Sequence, residues 1–489
     1  MEKNIISIIK KSAEMQKTIE IKGDIIVPDT KPDIVNIIGT NSNQYIYKED
    51  CQDGKYKFEG NVDAHIIYLS DNGETKCIQT TLDFIDYIED SKIKENMFTK
   101  YTIEITNIET RILNERKISV TIQLKICFSF FENNEIEFLD GFDSLENVEK
   151  LQETVELKSL VASNSIKTSL KEDISIDEID EITDILKTDI QVVNIENKIS
   201  YNKVLSKADV EIKVLYMTVE QSIKIATAKV PIMNFIDIEK VTDDDECEID
   251  YKVRNMLFKT NSKEMRSIAC QIDFEVSCEV SKKKEITIVQ DMYGIGKNIS
   301  FTQKPVEIQT DNCNKEVVNI NENILVEDIR NLFDVDCRAN IVNKIQNGNF
   351  CNYEGEVCLG FYYETGNNLG VKQVKIPFMV KLEGNASEVE INFTKKQFRL
   401  NNEDVNCDVE MEIQPNNSNY KTINIIDNIE ESEWVDENNY AMVVYFVKQG
   451  DTIWNIARNF RIPMNEIRKI NNLGETDNVK VGEKLYIMR

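Results

Sequence analysis

From Ile118 to Ile126 every second residue is apolar: Ile118, Val120, Ile122, Leu124 and Ile126 alternate with Ser119, Thr121, Gln123 and Lys125. Period-two alternation over nine residues marks a strand with one face on a core and the other in water. The pattern returns at Ile268, Cys270, Ile272, Phe274, Val276 and Cys278, and again at Val405, Cys407, Val409, Met411 and Ile413. Antiparallel sheets covered on one face read this way. Cys270, Cys278 and Cys407 fall on the apolar side, where a thiol is a small buried hydrophobe.

These strands belong to a longer repetition. FEGNVDAHIIYL (58–69), LSKADVEIKVLYM (205–217) and NYEGEVCLGFYYE (352–364) align on Val62, Val210 and Val357, at offsets of 148 and 295. The same offsets place Ile34 on Ile182 and Ile329, Ile37 on Ile185 and Leu332, and Ile38 on Leu186 and Phe333. Each copy also has an extended opening, for which Thr18–Ile21, Thr154–Leu157 and Pro305–Ile308 are matched. Within "VPDTKPDIVNIIG", Pro32 suits a first helical position, Asp33 the positive end of a helix dipole, and Ile34, Ile37 and Ile38 one apolar face closed by Gly39. The reading is therefore a mainly β (α+β) chain of three β-rich copies, each with a short helix: residues 1–148, 149–295 and 296–426. An acidic stretch at 427–440 reads as a linker, with Trp434 inside it.

Residues 441–489 follow a different pattern. Met442–Val447 reads as a strand, Lys448–Asp451 as a turn, and Thr452 as the cap of a helix whose apolar face is Ile453, Ile456, Ala457 and Phe460. Pro463 opens a second helix with Ile467 and Ile470, Asn471–Gly474 closes it, and Lys484–Met488 returns as a strand. The unit is a small βααβ domain. Trp454 follows Ile453 by one residue, so about 100° of helical rotation turns it off the apolar face. It is expected to be exposed, as an anchor for a partner.

Composition narrows what such a chain does. A formal charge of −28 disfavours nucleic acid and anionic membranes, whose phosphates need Lys and Arg. The C-terminal unit is the exception, with eight Lys/Arg against five Asp/Glu over 442–489. Eleven cysteines, odd in number and never spaced Cys-x-x-Cys, read as reduced thiols in a cytosol. The opening MEKNIISIIKKSAE shows no signal-peptide pattern, and no apolar run reaches membrane-spanning length. The sequons at Asn385, Asn392 and Asn416 then count as chance. One histidine, His65, whose counterparts are Lys213 and Gly360, leaves no recurring triad and no multi-histidine zinc site. "YGIGKN" (293–298) has two glycines and a lysine but lacks the third glycine and the Lys-Ser/Thr pair of a phosphate loop, and reads as a junction between copies. The acidic run Asp243–Asp250 has no calcium-loop spacing. No catalytic residue, metal site or cofactor is expected.

The order V-x-x-G-D-T-[IL]-x-x-I-A, then I-x-x-x-N-x-L, then V-x-x-G-x-x-L-x-I over Val447–Ile487 resembles a LysM domain. That resemblance implies a glycan groove with Gly450, Asp451, Thr452, Ile453 and Trp454 on one side, Asn471, Asn472 and Leu473 on the other, and Ile462 near the floor. The alternative is that Ile453 and Leu473 are core and Asp451 is a turn residue. Copies opening with a PDxxPDI-like segment and followed by a LysM resemble SPOCS-domain spore coat morphogenetic proteins, although Asp177–Glu181 and Ile324–Asp328 lack the prolines of the first copy. This second resemblance implies a non-enzymatic scaffold of the mother-cell cytoplasm at the forespore surface. Its LysM would dock on the stage IV sporulation ATPase (SpoIVA), with other coat proteins as further partners. Binding of peptidoglycan or N-acetylglucosamine glycans is the alternative.

Overall fold

A computed structural model describes residues 2–140, 145–176, 180–261, 266–309, 315–366, 368–383, 389–415, 420–433, 441–474 and 479–488. In the first copy, β1 (Glu2–Ile26), β2 (Ile34–Gln52), β3 (Lys55–Ser70), β4 (Thr75–Glu89), β5 (Phe98–Asn114) and β6 (Lys117–Asp140) form two antiparallel sheets, ordered β1-β6-β5 and β2-β3-β4. The alternation of β6 lays Ile118, Val120, Ile122, Leu124, Ile126, Phe128 and Phe130 on one fully buried face. Opposite them, β3 supplies Tyr56, Phe58, Val62, Ile66 and Tyr68 to the same core, so the two sheets pack face to face.

The second copy repeats both orders. β7 (Val148–Ser175), β8 (Ile182–Ser200), β9 (Lys203–Thr218), β10 (Ile223–Asp237), β11 (Glu246–Thr260) and β12 (Ser267–Gly294) form β7-β12-β11 and β8-β9-β10. The third is built of β13 (Lys297–Gln309), β14 (Glu316–Leu325), β15 (Asn331–Asn347), β16 (Phe350–Thr365), β17 (Asn368–Glu383), β18 (Val389–Asn401), β19 (Asp404–Pro415) and β20 (Tyr420–Glu433). Here the long ribbon is divided: β14-β19-β18 and β15-β16-β17 make the sandwich, and β13-β20 stand as a separate pair. Equivalent register pairs are Ile21 with Ile122, Leu170 with Ile272 and Ile320 with Val409.

Three sequence expectations are corrected. The openings were matched too far along: Ile21 lies in the core of its own copy, whereas Ile6 and Ile8 share a cluster with Val155, Leu157, Val306 and Ile308. A 25-residue strand offers the same alternation at many positions, so a four-residue pattern does not fix the register. The helix expected at Pro32–Gly39, and in each other copy, is strand instead. β2 is bulged at Ile34/Asn36 and at Ile37/Gly39, and β8 is bulged at Ile182/Asp184 and Ile185/Lys187. Each bulge adds a residue and resets the alternation, so a three-residue spacing puts Ile34 and Ile37 on one core and Ile38 on another cluster. Two such bulges imitate a helical period. Finally, Asn428–Glu433 of the expected linker is paired with β13, from Asn428 opposite Thr302 to Glu433 opposite Lys297. Ile425, Ile426 and Ile429 of that strand face apolar clusters, and its acidic residues face water. Trp434 and the rest of the stretch lie outside the described residues.

Each copy touches both others. Ile67 and Cys77 of the first, Leu186, Leu215 and Met217 of the second, and Tyr362 and Leu369 of the third share one cluster. The bulged strands add charge to this junction. Lys187, almost fully buried, pairs with Asp334 and lies 2.6 Å from Asp336, while Lys213 reaches Asp334 at 2.8 Å. Lys31 of the first copy pairs with Asp184 of the second and donates to the Cys77 carbonyl at 2.7 Å. His65 is buried there too, and desolvation lowers its pKa to about 4. The copies therefore form one closed body.

At the C-terminus β21 (Met442–Phe446) pairs with β22 (Lys484–Met488), and between them run α1 (Ile453–Phe460) and α2 (Met464–Asn471). No helix among the described residues is long and apolar enough to cross a membrane.

Candidate binding module and its seat

The turn after β21 is set by Asp451, whose carboxylate accepts from the Lys448 backbone N–H and the Tyr445 hydroxyl, both at 2.7 Å. Those two bonds, the backbone one foremost, hold its pKa below the usual carboxylate range. Gly450, at φ 87°, supplies the left-handed turn residue that side chains resist. Thr452 caps α1, its hydroxyl accepting from the Asn455 N–H at 3.1 Å. At the other end Asn472, at φ 53°, closes α2, and the Leu473 N–H reaches the Arg468 carbonyl at 3.0 Å. Asn471 clamps β22: its amide donates to the Tyr486 carbonyl at 2.7 Å and accepts from the Tyr486 N–H at 2.6 Å.

The nine expected site residues therefore divide. Ile453 is core, as its alternative reading held, together with Ile462 and Ile467. Leu473 is half-buried against that cluster. Gly450, Thr452 and Asn472 are the exposed ones, and Asp451 and Asn471 spend their side-chain bonds inside the module.

Trp454 overturns its expectation. It does point away from the apolar face of its own module, yet it is only 5% exposed. What covers it is the end of β12. The Tyr293 ring meets the indole edge-on, centroids 5.1 Å apart at 64°. The indole N–H donates to Asp291 at 2.8 Å, and Arg458 bonds the same carboxylate oxygen at 2.7 Å. The Tyr293 hydroxyl donates to the Ile462 carbonyl at 2.9 Å, and Arg461 donates to the Asn298 side chain at 2.8 Å. Leu151 and Ile295 complete the apolar seat. Burial pushes the Glu149 carboxyl up, with the neighbouring Arg468 opposing.

The sequence reading does not single out Asp291 and Tyr293 as the residues that contact the module. The signal available was "YGIGKN": a junction was read there, and Tyr293, Ile295 and Asn298 of that segment receive the C-terminal module. The excess of Lys and Arg in the module was a second signal, because Arg458 finds its carboxylate on an acidic body. Among the described residues no group of three or more His, Cys, Asp or Glu is placed to hold a metal ion.

Compared with protein families, residues 445–487 match the LysM domain and residues 181–261 match the SPOCS domain of SipL. No curated protein and no solved structure matches the chain.

Proposed function

Starting from a SipL-like chain that pairs a SPOCS domain with a C-terminal LysM domain, we propose a non-enzymatic spore coat scaffold that docks on the SpoIVA-type ATPase and bridges coat layers at the forespore surface. The first and third copies serve in this reading as further SPOCS-like units, because their sheet orders repeat that of the matched copy. The observation that carries the proposal is the seating of the LysM where the second and third copies meet, through Asp291 and Tyr293 of the second and Asn298 of the third. A module fixed in this way presents its remaining surface at a defined angle to the body it is seated on. Both matched domains are binding or scaffold domains, which supports a role without chemistry of its own.

A fluorescent fusion in sporulating cells tests the reading. A ring around the forespore that depends on residues 441–489, with co-purification of the ATPase, supports it, and diffuse signal sinks it. A second reading is favoured by the exposed Gly450, Thr452 and Asn472 at the two expected sides of a LysM groove: binding of N-acetylglucosamine glycans. Retention on purified peptidoglycan that is lost on deleting 441–489 would favour it over protein docking.

A further inference from the structure

Cys247 and Cys278 stand on neighbouring strands of the second copy. β11 and β12 pair with Cys247 opposite Val280 and Ile249 opposite Cys278, so the cysteines are diagonal neighbours on one face. Both side chains point into the core cluster of that copy, and their sulfurs are 3.2 Å apart. Cys278 is fully buried, while Cys247 is half-buried and is the more exposed of the two. The surroundings support the order of reactivity: either thiol can donate across this contact, and the hydrogen bond from Cys278 to a Cys247 thiolate holds the Cys247 pKa below the ordinary value.

We propose that Cys247 and Cys278 are a reversible disulfide site that staples the edge strand β11 to β12 when the protein meets a low-molecular-weight disulfide. The Cys247 thiolate attacks one sulfur of the small disulfide, forming a mixed disulfide and expelling one small thiolate. Cys278 then gives up its proton and attacks the Cys247 sulfur, expelling the second small thiolate. In sum two protein thiols are oxidised to one S–S bond, and one small disulfide is reduced to two thiols that carry the two protons.

The staple bears on more than one sheet. β11 also holds the first copy: Lys252 donates to the Thr99 carbonyl at 3.0 Å, and Arg254 to the Ile46 carbonyl at 2.7 Å and the Tyr101 hydroxyl at 2.9 Å. Cys278 itself lines the cleft of about 390 Å³ between these two copies. Fixing β11 on β12 therefore fixes one side of the junction between the first and second copies.

The test uses the full-length protein, reduced and then incubated with oxidised glutathione, alkylated and digested. Digestion includes chymotrypsin, which cuts after Phe274 and separates Cys278 from Cys270. The expected product is a cross-linked peptide pair containing Cys247 and Cys278, reversed by dithiothreitol, with the melting temperature raised by roughly 5 °C in the oxidised form. Cys278→Ser should trap glutathione on Cys247. Cys247→Ser should leave Cys278 as a free thiol and abolish the shift in melting temperature. Stable glutathione on Cys247 of the unsubstituted protein, with Cys278 still alkylated as a free thiol, would overturn the proposal. So would both cysteines remaining free while other cysteines of the chain react.

Discussion

Replacing Tyr293 by Ala tests how the C-terminal module is held. Tyr293 lies on β12, but its ring belongs to the apolar cluster of the module, so its removal acts on the seat and leaves the sandwich core of the second copy intact. Two contributions are lost. Truncating a fully buried aromatic ring costs about 3–5 kcal/mol, with the edge-on contact to Trp454 included. The hydroxyl bond to the Ile462 carbonyl is worth about 1 kcal/mol. Tyr293→Phe should therefore cost about 1 kcal/mol and Tyr293→Ala ~5 kcal/mol, which is between three and four decades in the equilibrium between seated and free module. The chain has two tryptophans, so a Trp434→Phe background isolates the emission of Trp454. In Tyr293→Ala that emission should shift to the red and become open to acrylamide. Should the module stay seated, the cost must appear as a lower melting temperature of the whole chain. Unchanged quenching together with an unchanged melting temperature would refute the reasoning.

Other substitutions probe the body. With His65 near 4 in the folded chain and about 6.5 when unfolded, the unfolded state binds the proton first as pH falls. Stability is thus full above pH 6.5 and is lost toward pH 4 by roughly 3 kcal/mol, and His65→Gln should flatten that part of a melting-temperature-against-pH curve. Lys187→Ala should cost about 3 kcal/mol in denaturant unfolding, because it removes the buried ammonium between Asp334 and Asp336 and leaves Asp334 only the more exposed Lys213. Gly60→Ala should destabilise by more than 1 kcal/mol, since a methyl group there would stand 2.5 Å from the Tyr45 carbonyl and 2.2 Å from the Phe84 ring. In the second copy the same register position is Ala208 opposite Ile232, so Ala208→Gly alone should be mild by the same unfolding assay.

How much of this was legible in the chain depends on what each feature rests on. Alternation is local, and it was enough to place Ile118–Ile126, Ile268–Cys278 and Val405–Ile413 on buried faces, as they are. Recurrence at offsets of 148 and 295 likewise placed Ile34, Ile182 and Ile329 at equivalent positions, and all three are buried in the cores of their own copies. The C-terminal module could be read through its turn, cap and helix face because Gly450, Thr452, Ile453 and Ile456 each follow from interactions a few residues long. The helix expected at Pro32–Gly39 failed for a related reason. A strand carrying two bulges and a short helix leave the same apolar spacing, and only pairing with β3 distinguishes them. What tertiary structure alone decided is everything set by partners far along the chain. The Lys187–Asp334 pair spans 147 residues, the Trp454–Asp291 bond 163 and the Tyr293–Ile462 bond 169. The sequence determined that Trp454 leaves the apolar face of its own helix. That another part of the same chain covers it could not be known, because a side chain turned away from one core looks the same whether water, a partner or a distant strand awaits it.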